Sequence, residues 1–88
     1  MIILKTIMYK NKSESGRNNI CGTKIRAIRK ALPIKTSQRK LAEMLQIEGL
    51  DVDKNAVQRM ESGSRFITDI ELKIIAKVLK VSYDELLS

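Results

Sequence analysis

The chain has 88 residues, of which 43% are hydrophobic and only 3% aromatic, and it carries a formal net charge of +7. This length allows one small domain, and a core of Ile, Leu, Val and Met with a single proline predicts an all-helical fold. The chain has no histidine, one cysteine and no glycine-rich phosphate loop. The commonest general base, a disulfide within the chain and most zinc sites are therefore excluded, so we expect neither an enzyme nor a cofactor.

The apolar residues form no long run. The longest uninterrupted stretches, such as Met1–Leu4, have about four residues, whereas a membrane-spanning helix needs roughly twenty. Residues 1–8 are also too short and too interrupted for the apolar part of a signal peptide. We therefore expect a cytoplasmic protein that does not bind a membrane.

The positive charge is concentrated in one half of the chain. Residues 1–40 carry eleven Lys and Arg against one acid, and residues 41–88 carry six against nine acids. Clustered cations favour a polyanionic partner, because each neutralised phosphate releases condensed counterions. From charge alone, the alternative is a basic face that only keeps the domain soluble.

Residues 1–19 are predicted to form a flexible N-terminal arm, and residues 20–88 the folded domain. Residues 10–19 are polar and rich in Gly, Ser and Asn, without a periodic pattern. Met1–Tyr9 is apolar enough to add a short strand or to contact a partner. The alternative is that Met8 is the start of the chain.

The first predicted helix runs from about Cys21 to Leu32. Ile25, Ile28 and Leu32 recur at the spacing of one buried helical stripe, and Cys21 extends that stripe by one turn. Pro33 ends the helix, since it pushes the preceding residue out of the helical conformation. Cys21 is interpreted as a small buried apolar residue, with redox sensing as the alternative.

The second predicted helix runs from Gln38 to about Glu48, with Ser37 as its N-cap. Its inward positions are Leu41, Ala42 and Leu45, with Met44 as a further candidate. Gly49 suits the left-handed conformation just past a helix end, and Leu50 and Val52 are expected to hold the following turn on the core.

The third predicted helix ends near Ser62, with Gly63 as its stop signal. Asp53 is the expected N-cap and Asp51 is the alternative. Val57 and Met60 form its inner stripe, which leaves the polar residues of the helix on the outer surface.

Two capping boxes mark the last two helices. Thr68 and Glu71 open a fourth helix that continues to about Lys80, and Ser82 and Glu85 open a short fifth helix. In each box the hydroxyl accepts from the backbone amide of the glutamate while the glutamate accepts from the backbone amide of the cap.

This pattern resembles the Cro/CI-type (XRE) helix-turn-helix family of bacterial and phage repressors, over about residues 20–88. The matching positions are Gln38, Leu41, Ala42, Leu45, Val57, Glu61, Gly63, Leu72, Ile75, Ala76, Leu79, Val81, Ser82, Leu86 and Leu87. The resemblance implies a compact five-helix fold of the lambda-repressor type. This chain departs from the pattern in one respect: Val57 follows Gln38 by nineteen positions rather than fourteen, so its turn is about five residues longer.

The resemblance also implies roles for individual residues. The third helix would enter the major groove, where Asn can hydrogen-bond adenine and Arg or Lys can hydrogen-bond guanine. The implied base contacts are Lys54, Asn55, Gln58 and Arg59. The predicted phosphate contacts are Ser37, Gln38, Arg39, Lys40, Ser62 and Arg65; among them, Arg39 and Lys40 are candidates because a phosphate would offset the cost of cations at a helix start. Arg29 and Glu61 are implied as a structural ion pair that ties the third helix to the first.

The leading hypothesis is a sequence-specific, repressor-like transcriptional regulator that binds double-stranded DNA as a homodimer. The small size suits a phage-type repressor, a mobile-element regulator or a controller of a restriction system, and no small-molecule effector is evident. An alternative is an antitoxin or interaction module whose main partner is another protein. A nonspecific single-strand or RNA binder is disfavoured, because only Tyr9, Phe66 and Tyr83 could stack on bases.

Overall fold

A computed structural model describes residues 16–88 of the chain. Five helices follow one another in this part: α1 (Gly22–Ala31), α2 (Gln38–Ile47), α3 (Lys54–Ser62), α4 (Asp69–Leu79) and α5 (Tyr83–Leu87). Residues 16–88 contain no strand, and the predicted all-α, five-helix architecture is confirmed. The predictions for Met1–Tyr9 lie outside the described residues.

Four of the five helices begin at the capping residues that the sequence predicts. The Ser37 hydroxyl accepts from the backbone amide of the third helical residue of α2, at 3.0 Å. Asp53 does the same for α3 at 2.8 Å, which confirms Asp53 rather than Asp51 as the cap. Both capping boxes, at Thr68 and at Ser82, are fully formed. Each such cap contributes about 1 kcal/mol to stability.

The helix ends require small corrections. The first helix is one residue shorter at each end than predicted, and Leu32 adopts an extended conformation because Pro33 follows it. Helix α2 ends at Ile47 rather than at Glu48. Helix α4 ends one residue before Lys80, whose left-handed backbone (φ 59°) cannot continue a right-handed helix.

The enlarged turn between α2 and α3 is held on the core. Gly49 has a φ of 94°, a left-handed conformation that a residue with a Cβ rarely adopts. Val52 is buried and Leu50 is partly buried against the core cluster, as predicted. The extra residues therefore form an ordered connection rather than a loose loop.

Two side-chain contacts fix the same turn from outside. The Gln46 Nε2 atom donates to the Val52 carbonyl at 2.7 Å, which joins the end of α2 to the end of the turn. The Lys77 ammonium of α4 donates to the Glu48 carboxylate, also at 2.7 Å. The turn is thus tied both to α2 and to α4.

The core lies where the five helices meet. Helix α3 packs on α1 and α2, α4 packs on α2, and α5 packs on α1 and α4. The fully buried large side chains are Ile25, Leu41, Leu45, Val57, Met60, Ile75 and Leu86. Among residues 16–88, no helix combines the length and the apolarity that crossing a membrane requires.

The start of α1 makes a close approach to the end of α3. A Cβ atom at Gly22 would collide with the Met60 carbonyl oxygen, so only glycine allows this contact. The backbone near the C-terminal end of α3 therefore lies directly against the start of α1.

Candidate nucleic-acid interface

Helix α3 has one buried and one exposed face. Its inner residues Ala56, Val57 and Met60 are at most 6% exposed. The outer residues recur at the i, i+1, i+4, i+5 spacing of a single helical face, and all four are exposed: Lys54, Asn55, Gln58 and Arg59. These are the residues for which base contacts were predicted, and the fold presents them together.

Two shallow grooves flank this outer face. In the first, Arg39 of α2 lies with Lys54 and Asn55 at the start of α3. In the second, Arg59 near the end of α3 lies with Arg65 of the following loop. Side chains predicted to contact phosphates therefore border both ends of the row predicted to contact bases.

The first turn of α2 presents exposed cations. Ser37 uses its hydroxyl as the helix cap, and the side chains of Arg39 and Lys40, in the first turn, are exposed to solvent. Lys40 approaches Glu43 only at 4.0 Å, with both side chains more than half exposed, so this pair is weak. The helix dipole disfavours cations at this end, and a DNA phosphate would offset that cost.

A buried network around Glu61 connects the first three helices. Arg29 Nε donates to Glu61 Oε2 at 2.7 Å, and Arg29 Nη2 donates to Glu61 Oε1 at 3.0 Å. The remaining Arg29 nitrogen donates to the Thr36 carbonyl at 2.9 Å. The hydrogen bond to Glu61 raises the pKa of the Arg29 guanidinium. The pair implied by the resemblance thus lies in direct, two-point contact.

Gln38 joins this network. Its Nε2 atom donates to Glu61 Oε1 at 2.9 Å, so a residue predicted to contact phosphate also holds the carboxylate at the end of α3. The sequence carries no signal for this second role, because Gln38 and Glu61 are 23 positions apart. The contact links the start of α2 to the end of α3.

Arg65 is engaged in a second two-point ion pair. Its Nη1 and Nη2 atoms donate to the two carboxylate oxygens of Glu71 at 2.9 and 2.8 Å, and Nη1 also donates to the Phe66 carbonyl. The hydrogen bond from Arg65 lowers the pKa of the Glu71 carboxyl, and the same bond raises the pKa of Arg65. Glu71 offsets the charge of Arg65 and occupies both of its Nη atoms, so Arg65 is less available to a phosphate than the exposed Arg39.

Ser62 and the residues after it fold back on the last turn of α3. The Ser62 hydroxyl donates to the Arg59 carbonyl at 3.2 Å and lies 3.2 Å from the Ser64 hydroxyl. Both serines are exposed, so their hydroxyl oxygens stay accessible beside the Arg59 end of the outer face.

One group of residues next to this face was not predicted from the sequence. Arg17, Asn18 and Asn19, at the end of the predicted arm, hydrogen-bond to backbone carbonyls between Met60 and Arg65. The only local signal is Asn19, because asparagine favours helix starts. It lies three positions before Gly22, the first residue of α1, and accepts from the Gly22 amide.

Cys21 lies away from the outer face of α3. It is 3% exposed, and desolvation by this burial raises the pKa of its thiol. A buried thiol with a raised pKa is a poor nucleophile, which supports its interpretation as a small apolar core residue.

A comparison with protein families agrees with this geometry. A family model described as helix-turn-helix matches residues 25–86, which include α2, the turn, α3 and α4 in full, α1 from Ile25 onward and all of α5 except Leu87. No curated protein and no solved structure matches the chain.

Proposed function

Because the chain belongs to the XRE-type helix-turn-helix family of DNA-binding proteins, we propose that it binds duplex DNA sequence-specifically as a cytoplasmic homodimer and represses transcription. The observation that carries this proposal is the exposed polar row on α3 above a buried inner stripe. Such a helix fits the major groove. A protein docked there excludes other proteins from the same stretch of duplex, which would repress transcription; a phage, mobile element or restriction system is the proposed setting.

The two sets of polar residues have different tasks in this proposal. Ser37, Arg39 and Lys40 at the start of α2 hold the phosphate backbone and set the orientation of the domain, without sequence information. Asn55 and Arg59 on α3 read base edges, with Asn suited to adenine and Arg to guanine. Gln38, Lys54, Gln58, Ser62 and Arg65 complete the proposed contact surface.

Selection of bound duplexes from a random pool, followed by affinity measurements on the consensus duplex, tests the proposal. We expect Asn55→Ala and Arg59→Ala each to weaken binding to the selected duplex by about 1–3 kcal/mol and to relax the preference at one or two base pairs. The reason is that each substitution removes paired hydrogen bonds to one base.

Lys40→Ala serves as the matched comparison, since it removes a cation proposed to contact a phosphate. It should weaken binding to the selected duplex and to a random duplex alike, and reduce the salt dependence. If Asn55 and Arg59 substitutions leave the preference unchanged while Asp51 or Leu50 substitutions alter it, the enlarged turn is the reading element.

The proposed dimer has a candidate contact surface on α4 and α5. Ile70, Tyr83 and Leu87 are between 43% and 69% exposed, although all three are large apolar or aromatic residues. Ile70 and Tyr83 line a common groove with the partly buried Ile74 and Val81. Helix α4 packs mainly on α2 and α5, and α5 packs mainly on α1 and α4. A second copy docked on this surface therefore leaves the outer face of α3 open.

We expect Ile70→Glu to convert a dimeric chain to a monomer, as measured by sedimentation or light scattering, because each dimer would bury two unpaired carboxylates. Ile34→Glu introduces the same charge at an 80% exposed isoleucine of the α1–α2 loop and should leave the dimer intact. A monomeric wild-type chain would contradict the dimer and favour the protein-interaction alternative for this surface.

A further inference from the structure

We propose that Arg17, Asn18 and Asn19 (the α3 clamp) are positioning residues that set the sequence specificity of the C-terminal half of α3. The clamp would act on DNA recognition without touching DNA itself, by fixing the last turn of α3 and the loop that follows it. This inference rests on the proposed function, since it assigns the clamp an effect on base recognition.

The clamp caps the C-terminal end of α3 from another part of the chain. Arg17 Nη2 donates to the Glu61 carbonyl at 2.7 Å, and Asn19 Nδ2 donates to the Met60 and Arg65 carbonyls at 3.0 and 2.7 Å. The last carbonyls of a helix have no partner within the helix, so donors from outside satisfy them. The positive charge of Arg17 is also favourable at the negative end of the helix dipole.

The clamp also holds the loop after α3. The Asn18 backbone amide donates to the Gly63 carbonyl at 2.8 Å, and Asn18 Nδ2 donates to the Ser64 carbonyl at 3.1 Å. Gly63 has a φ of 88°, and a Cβ atom there would collide with the Arg17 guanidinium. Between Met60 and Arg65, five of the six carbonyls thus accept from three consecutive residues.

Asn19 anchors the clamp on the scaffold. Its Oδ1 atom accepts from the Gly22 amide at 2.7 Å, while its Nδ2 atom holds α3. Gly22 in turn lies directly against the Met60 carbonyl. One side chain therefore bridges the start of α1 and the end of α3, and it fixes the distance between them.

Arg59 is the proposed base-reading residue closest to the clamp. It lies in the last turn of α3, and its carbonyl accepts from the amides of Gly63, Ser64 and Arg65 at 3.1 to 3.3 Å. Asn55 lies in the first turn, which is fixed by the Asp53 cap. Because hydrogen bonds to bases weaken steeply with distance and angle, a loosened clamp should affect the Arg59 contact and spare the Asn55 contact.

The test uses the full chain with Arg17→Ala and Asn19→Asp. Asn19→Asp keeps the acceptor for Gly22 and removes both donations to the end of α3. Affinities are measured on the duplex selected by the wild-type chain and on its single-base-pair variants. We expect the preference for the selected base pair over its variants to fall by about 2- to 30-fold at the positions where Arg59→Ala relaxes that preference. The positions where Asn55→Ala relaxes it should change little.

Ile75→Val is the control for lost stability, since it removes one methylene from a fully buried residue of α4, away from the clamp and from the outer face of α3. It should leave the ratio of affinities among the duplexes unchanged. Equal weakening on all duplexes by the clamp variants, as expected from a purely structural role, would overturn the proposal.

Hydrogen exchange on the DNA-free protein provides an independent measurement. The clamp variants should speed exchange of the Gly63, Ser64 and Arg65 amides relative to the Ala56 amide, which the Asp53 cap holds. Unchanged exchange rates in the clamp variants would overturn the clamp proposal even if the wild-type chain recognises DNA as proposed. A wild-type chain that selects no duplex would instead remove the proposed function, and the specificity role of the clamp with it.

Discussion

Replacing Arg29 by alanine should lower the free energy of unfolding by about 3–5 kcal/mol, and Glu61→Ala should have an effect of similar size. Each substitution leaves the other charge buried without its partner: the Arg29 and Glu61 side chains are 9% and 3% exposed. Glu61 also accepts from Gln38, and Arg29 also donates to the Thr36 carbonyl, so the loss extends to α2 and to the α1–α2 loop. Urea denaturation with linear extrapolation measures both variants.

The double variant distinguishes a real interaction from two separate effects. Because each single variant already removes the pair, Arg29→Ala combined with Glu61→Ala should cost less than the sum, by about 0.5–3 kcal/mol. Lys40→Ala is the comparison, since the exposed Lys40–Glu43 pair at 4.0 Å should change stability by no more than about 0.5 kcal/mol. Purely additive losses would contradict the coupling between Arg29 and Glu61.

Binding to duplex DNA should depend strongly on salt. With about four to six phosphates neutralised per protomer, log affinity should fall with a log-salt slope of roughly −4 to −5 per protomer. Raising the salt from about 50 to about 200 mM would then weaken binding roughly 10²- to 10³-fold per protomer. The expected source of this effect is the net charge of +10 in residues 1–40, which includes the exposed Arg39 and Lys40.

Titrations at several salt concentrations measure the slope directly. Arg39→Ala and Lys40→Ala should each reduce its magnitude by about one. Lys80→Ala removes an exposed cation just past the end of α4 and should leave the slope unchanged. A flat response of the wild-type chain to salt would contradict a phosphate-based mechanism.

Local sequence signals predicted the helices and the outer face of α3. Ser37, Asp53, Thr68 and Ser82 specify helix starts because each cap bonds an amide three residues further on, and such contacts need no tertiary structure. The spacing of apolar residues then places Val57 and Met60 inward. The same helical period places four polar residues on the outer face, so the row proposed to read bases was already visible in the sequence.

Contacts between distant segments were decided by the packing of the helices. The Arg29–Glu61 pair, 32 positions apart, was expected from the family resemblance and not from any local pattern. The Gln38–Glu61 bond had no signal in the sequence, and for the α3 clamp only Asn19 had one, at the start of α1; the contacts themselves span 23 to 46 positions. The clamp contacts exist because Gly22 lets α1 touch α3, which brings the residues before α1 onto carbonyls that α3 cannot satisfy itself.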